Sequence, residues 1–183
     1  SVPAAQTEEK AVVYLDPTRG NNNNTGESDT AAVQTLSKAL GLVAQNGVIY
    51  LLNPVTVDSQ MTLSNVTFRP GKSNMLGMLY ISGDVTLNNI KIYNETPDGR
   101  SCQFSNDPIR VTGTLTIGKG TRIESFLGKS CIYVSQGTLN LNGGKIQGDT
   151  QNTVKHGGGI YAEHATVNVY EGIISGHSAT YGG

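Results

Sequence analysis

Seven side chains recur at a spacing that would let them act together. Tyr80, Arg110, Tyr133 and Tyr161 are each the middle of an apolar-flanked triplet: Leu79-Tyr-Ile81, Ile109-Arg-Val111, Ile132-Tyr-Val134 and Ile160-Tyr-Ala162. Lys91, Arg122 and Lys145 each precede an isoleucine, at Ile92, Ile123 and Ile146. A row of tyrosines with an arginine can stack on flat apolar faces, such as those of sugar rings, or on itself. Three aligned cations repel one another, weakly where solvent screens them. Such a row either meets an anionic glycan or wall polymer, or is a soluble, edge-resistant face.

Catalytic chemistry is less well provided for. No Ser-His-Asp order and no Cys-His pairing suggests a nucleophile. Of His156, His164 and His177, only His156 precedes a Gly-rich turn, and its counterpart in the next repeat is Tyr181. Glycoside hydrolysis needs two carboxylates about 5–10 Å apart. The acidic residues are scattered, and Glu124 with Asp149 comes nearest to such a pair. No catalytic residue and no metal-ligand set is assigned. Cys102 and Cys131 lack nearby histidines, so they do not make a zinc site. They lie at comparable places on neighbouring repeats, and a disulfide and two free thiols both stay open. The Asn-rich loop Asp16–Gly26 offers calcium Asp16 and the side-chain carbonyls of Asn21 to Asn24, or is simply a solvated turn. No other cofactor is expected.

The elements that must position these residues repeat. Met61-Thr-Leu63, Val85-Thr-Leu87, Leu115-Thr-Ile117, Leu139-Asn-Leu141 and Val167-Asn-Val169 recur at steps of 24, 30, 24 and 28 residues. Each is apolar-polar-apolar, the alternation of a strand with one buried face. A second series runs through Phe68, Ile92, Ile123, Ile146 and Ile174. The Tyr/Arg triplets are the third. Three short strands per pass at this period predict a right-handed, single-stranded parallel β-helix, an all-β solenoid of about five coils. Like then stacks over like, and Leu63, Leu87, Ile117, Leu141 and Val169 form an inward ladder. Length variation falls after the second strand, at 69–78, 93–108, 124–131 and 147–159, so it maps to one edge, the usual binding side of repeat proteins.

Residues 1–10 read as a leader and 11–57 as an N-terminal capping module. The module has strands at Val12–Leu15, Val48–Leu52 and Val55–Val57, and an α-helix over about 30–45 capped by Ser28 or Asp29. The helix stripe Ala32, Val33, Leu36, Ala39, Leu40, Val43 would cover the exposed end of the first coil. Residues 58–183 are the coils. The start lacks an initiator Met and a signal-peptide pattern, so the chain reads as a mature or excised segment. Tyr181-Gly-Gly183 repeats the lead-in His156-Gly-Gly-Gly-Ile160, and further repeats of the same polypeptide are expected downstream.

Charged residues are only 15% of the 183, and polarity comes from Asn, Thr, Ser and 23 glycines. That profile suits a turn-rich secreted or cell-surface protein. A net charge of −1 argues against a dedicated nucleic-acid binder. No run nears the roughly 18 apolar residues of a membrane span, so no membrane insertion is expected.

Tyr14-Leu-Asp16 with its Asn-rich loop, Thr30–Leu40 and Asn46-Gly-Val-Ile-Tyr50 come in an order that resembles the opening of pectin-lyase-like right-handed β-helix domains. Gly143-Gly-Lys-Ile146, His156–Tyr161 and Ile174–Gly183 resemble repeats of large bacterial adhesin-like surface proteins. The resemblance covers nearly the whole chain. It implies the fold, and a secreted or surface module that binds a glycan or a host or wall ligand. It leaves two alternatives: a polysaccharide lyase or glycoside hydrolase, or its remnant, and a structural spacer. Lyases of this fold imply a carboxylate-held calcium with an Arg or Lys base, and hydrolases imply clustered Asp residues. Fold alone decides none of these.

Overall fold

The computed structural model describes residues 9–124, 126, 128–148 and 153–182. The chain is an all-β parallel solenoid of about four turns. It opens with β1 (Lys10–Leu15), a short 3-10 turn at Asp29–Ala31, helix α1 (Leu36–Leu42) and β2 (Val43–Leu51). Five rungs follow. The first holds β3 (Val55–Val57), β4 (Met61–Ser64), β5 (Thr67–Pro70) and β6 (Asn74–Met75). The second holds β7 (Leu79–Ile81), β8 (Asp84–Asn88), β9 (Lys91–Tyr93) and β10 (Gln103–Phe104). The third holds β11 (Ile109–Val111), β12 (Thr114–Ile117) and β13 (Arg122–Glu124). The fourth is β14 (Ile132–Ser135), β15 (Thr138–Gln147) and β16 (Val154–His156), and the fifth β17 (Ile160–Glu163), β18 (Thr166–Ser175) and β19 (Ala179–Tyr181).

All pairings are parallel and in the register that the repeats imply. Leu63, Leu87, Ile117, Leu141 and Val169 are successive partners. So are Phe68, Ile92, Ile123, Ile146 and Ile174. The third face stacks β3, β7, β11, β14 and β17 in order. The count of turns is the first correction to the sequence reading. Five rungs are separated by four full turns, and β1 and β2 extend only the second-strand face.

The helix is the second correction. It spans seven residues rather than fifteen or so, and its N-cap is Thr35, whose hydroxyl accepts from the Lys38 amide. Two contacts hold the preceding residues out of a helix. Val33 bridges in parallel to Leu15, and the Asn22 side chain accepts from the amides of Gln34 and Thr35. Downstream, Val43 already pairs with Lys10, so β2 begins where the helix was expected to continue. Ala39 and Leu42 face the core.

The corner between first and second strands is turned by asparagines. Asn46, Asn65 and Asn89 have φ of 61°, 58° and 51°, a left-handed conformation that Asn tolerates better than most residues. The Asn89 amide group donates to the Asn65 carbonyl at 2.8 Å, tying two corners together. On the outward side of the first strands, Asn168 donates to Asn140 at 2.9 Å and Asn140 to Thr116 at 3.4 Å. Amide and hydroxyl ladders bond to their own kind one rung away, whereas like charges would repel.

Candidate functional site

Alternation puts residues i and i+2 of the third strands on one outward face. Thr56, Tyr80, Arg110, Tyr133 and Tyr161 form one row in register. One step beyond the apolar strand positions, Ser82, Thr112 and Ser135 run beside it. Together Thr56, Tyr80, Ser82, Arg110, Thr112, Tyr133 and Ser135 line a shallow groove of about 240 Å³.

The row is not uniform. The Arg110 guanidinium lies over the Tyr133 ring, 5.1 Å from its centroid. Tyr133 stacks on Tyr161 at 5.2 Å, Tyr161 on His156 at 5.4 Å and His156 on Tyr181 at 5.3 Å, all within 22° of parallel. The tyrosines of the later rungs thus stack on one another, one of the two outcomes that the sequence left open. Tyr80 stands apart. Its ring lies against Gly77, where a Cβ would run into it. The Tyr80 ring and the Arg110–Tyr133 pair both line the groove. The Tyr133 hydroxyl donates to Glu163 at 2.6 Å, and that hydrogen bond to a carboxylate raises the phenol above its ordinary pKa.

The structure brings Tyr80, Arg110 and Tyr133 into the groove and places Tyr161 in the column beside it. Lys91, Arg122 and Lys145 are one row in register, as expected, but on the second-strand face and not in the groove. Arg122 clamps Glu124 from the same strand with contacts of 2.6 and 2.7 Å. The hydroxyl row, His156 and Tyr181 had escaped assignment. The hydroxyls were legible as the residue two after each row member. The place of His156 was not, because it sits on the insertion edge and reaches the column sideways. Its pairing with Tyr181 matches the repeat alignment.

Of the remaining candidates, Asp149 lies outside the described residues. Its partner Glu124 is engaged by Arg122, Glu95 by Arg69 at 3.4 Å, and Asp107 accepts from the Ser130 amide at 3.1 Å. Among the described residues, no three His, Cys, Asp or Glu side chains converge as metal ligands would. Cys102 and Cys131 are free and buried, and burial pushes their thiols up to about 11 and about 12.

In the Asn-rich loop the side chains bond to nearby backbone. Asp16 accepts from the amides of Thr18 (2.9 Å) and Arg19 (3.1 Å) and from the Asn53 side chain (2.8 Å), and Asn24 donates to the Ala32 carbonyl. Burial works to raise the Asp16 carboxyl, but the bonds from Asn53, Arg19 and Thr18 outweigh it and hold the pKa below the ordinary value. A depressed folded pKa contributes stability that is present above the unfolded value, about 3.9, and is lost as pH falls through the folded one. Asp16→Ala is expected to cost about 1–3 kcal/mol at neutral pH by stranding these donors. The difference from the parent should shrink as pH falls below about 4, which urea titrations at pH 7 and pH 3 would measure.

No family model, curated protein or solved structure matches the chain.

Proposed function

We propose that the chain is a non-catalytic binding module of a secreted or cell-surface protein, and that its third-strand groove takes an extended glycan. One observation carries this reading. An unstacked tyrosine face, a guanidinium and a row of hydroxyls line the same groove. That mixture suits a ring with one apolar face and a hydroxylated rim. Rungs repeat about every 4.8 Å along the solenoid axis. A linear polymer lying along the groove would therefore meet one member of the row at each rung, Tyr80, then Arg110, then Tyr133. The Lys91/Arg122/Lys145 row lies outside the groove and is assigned a solubilising role. Low charge and Asn/Thr/Ser polarity support placement outside the cell.

Glycan-array binding followed by calorimetry tests the reading. Tyr80→Ala or Arg110→Ala should weaken binding about ten-fold, the loss of roughly one aromatic or cation–π contact. Lys91→Glu should leave it unchanged. Silence across neutral and acidic glycans, or turnover of any of them, would overturn the proposal.

A further inference from the structure

The outward side of the third-strand face carries three charges, and their order along the solenoid is specific. Arg110 sits on the middle rung, between Tyr80 and Tyr133. The neighbouring row of hydroxyls, Ser82, Thr112 and Ser135, is continued by a carboxylate at each end. Ser135 pairs with Glu163 on the fifth rung. Val57 pairs with Ile81 on the first, so the residue after it, Asp58, falls beside Ser82. Asp58 and Glu163 are both exposed. Among the described residues none of the three charges belongs to an ion pair. The Tyr133 hydroxyl, donating at 2.6 Å, fixes the Glu163 carboxylate without neutralising it. The face is therefore negative, positive and negative in turn, with two rungs, about 10 Å along the axis, between each carboxylate and the guanidinium.

We propose, resting on the reading of the groove as a glycan site, that its ligand is sparsely acidic: one carboxylate-bearing sugar over Arg110 with neutral sugars on both sides. An extended glycan advances by roughly one rung per residue, so each sugar meets one rung. A carboxylate over Arg110 gains a charge-assisted contact with the guanidinium. The rungs on either side offer tyrosine and hydroxyl groups, which suit uncharged rings. A second acidic sugar two residues away is what an alternating uronate polymer must place there, and it would meet Asp58 or Glu163. A polymer acidic at every residue would meet both. A like-charge contact near 4 Å in water weakens binding roughly five-fold. Two such contacts, reduced by salt, weaken it about ten-fold. Specificity then comes from repulsion at the two ends as much as from attraction at the centre.

Calorimetry with four hexasaccharides tests this: one neutral, one with a single inner uronate, one alternating uronate with N-acetylhexosamine, and one of uronate throughout. The single-uronate ligand should bind about ten-fold more tightly than any of the others. In the double variant Asp58→Asn, Glu163→Gln, its preference over the alternating ligand should fall from about ten-fold to near one. Both replaced side chains are exposed, and an amide carbonyl at 163 can still accept from Tyr133, so β-sheet circular dichroism should be unchanged. Tightest binding of the neutral, alternating or fully acidic ligand would overturn the inference and leave the groove a glycan site. A folded double variant that keeps the ten-fold preference would do the same. Binding of none of the four would overturn the glycan reading of the groove, and this inference with it.

Discussion

Gly113→Ala is expected to destabilise the protein by about 3 kcal/mol, the upper end of ordinary overpacking. The reason lies in how the rungs close. Gly83, Gly113 and Gly137 sit one above another between third and first strands. A methyl group on Gly113 would overlap the carbonyl oxygens of Gly83 and Ser82. Those are backbone atoms, and the Gly83 carbonyl already accepts from the Thr114 amide at 2.9 Å. Relief would require the stacked corners to part, lengthening the ladder bonds on both adjoining faces. Gly41 is the control. Nothing lies within 4 Å of a Cβ there, and the residue is in α1. Gly41→Ala should raise stability by up to about 1 kcal/mol through helix propensity. Chemical denaturation of the two variants measures both. A Gly113→Ala midpoint matching the parent would show that the corner is looser than its geometry indicates.

The same corner shows what sequence can and cannot tell about this chain. Gln136-Gly137 was readable as a short link because strands on either side alternate clearly. The need for glycine was not, since it arises from a carbonyl one rung away. The inward ladders through Leu63 and through Phe68 could be read because parallel stacking turns a repeat period directly into spatial neighbours. The helix was overestimated for the opposite reason. Its apolar spacing at 30–45 fits helical period, but Val33 and Val43 find strand partners in β1, and tertiary pairing overrides local preference. The groove was half legible. The rung pattern placed Tyr80, Arg110 and Tyr133 in one row. Which rings stack together and which stands free depends on side-chain tilt, which no periodicity encodes.

Ile117→Ala is expected to cost about 4 kcal/mol, and Val169→Ala at most about 1 kcal/mol, although both occupy the same ladder. Ile117 is fully buried, with Leu87 and Leu141 as its partners on either side. Removing its side chain takes out roughly 2–3 kcal/mol of transfer energy, and the cavity left between two rungs adds to it. Neither neighbour can collapse into that cavity without breaking its own register. Val169 is 57% exposed and has a rung on only one side, so truncation exposes little that was dry. A solenoid is nearly one-dimensional, and its stability is a sum of rungs and the interfaces between them. The central substitution damages two interfaces and the terminal one damages one. The loss at Ile117 should therefore be several times the loss at Val169. Urea denaturation of the two variants beside the parent measures both losses. Equal losses at the two positions would show that a rung's place in the stack does not set its share of the stability.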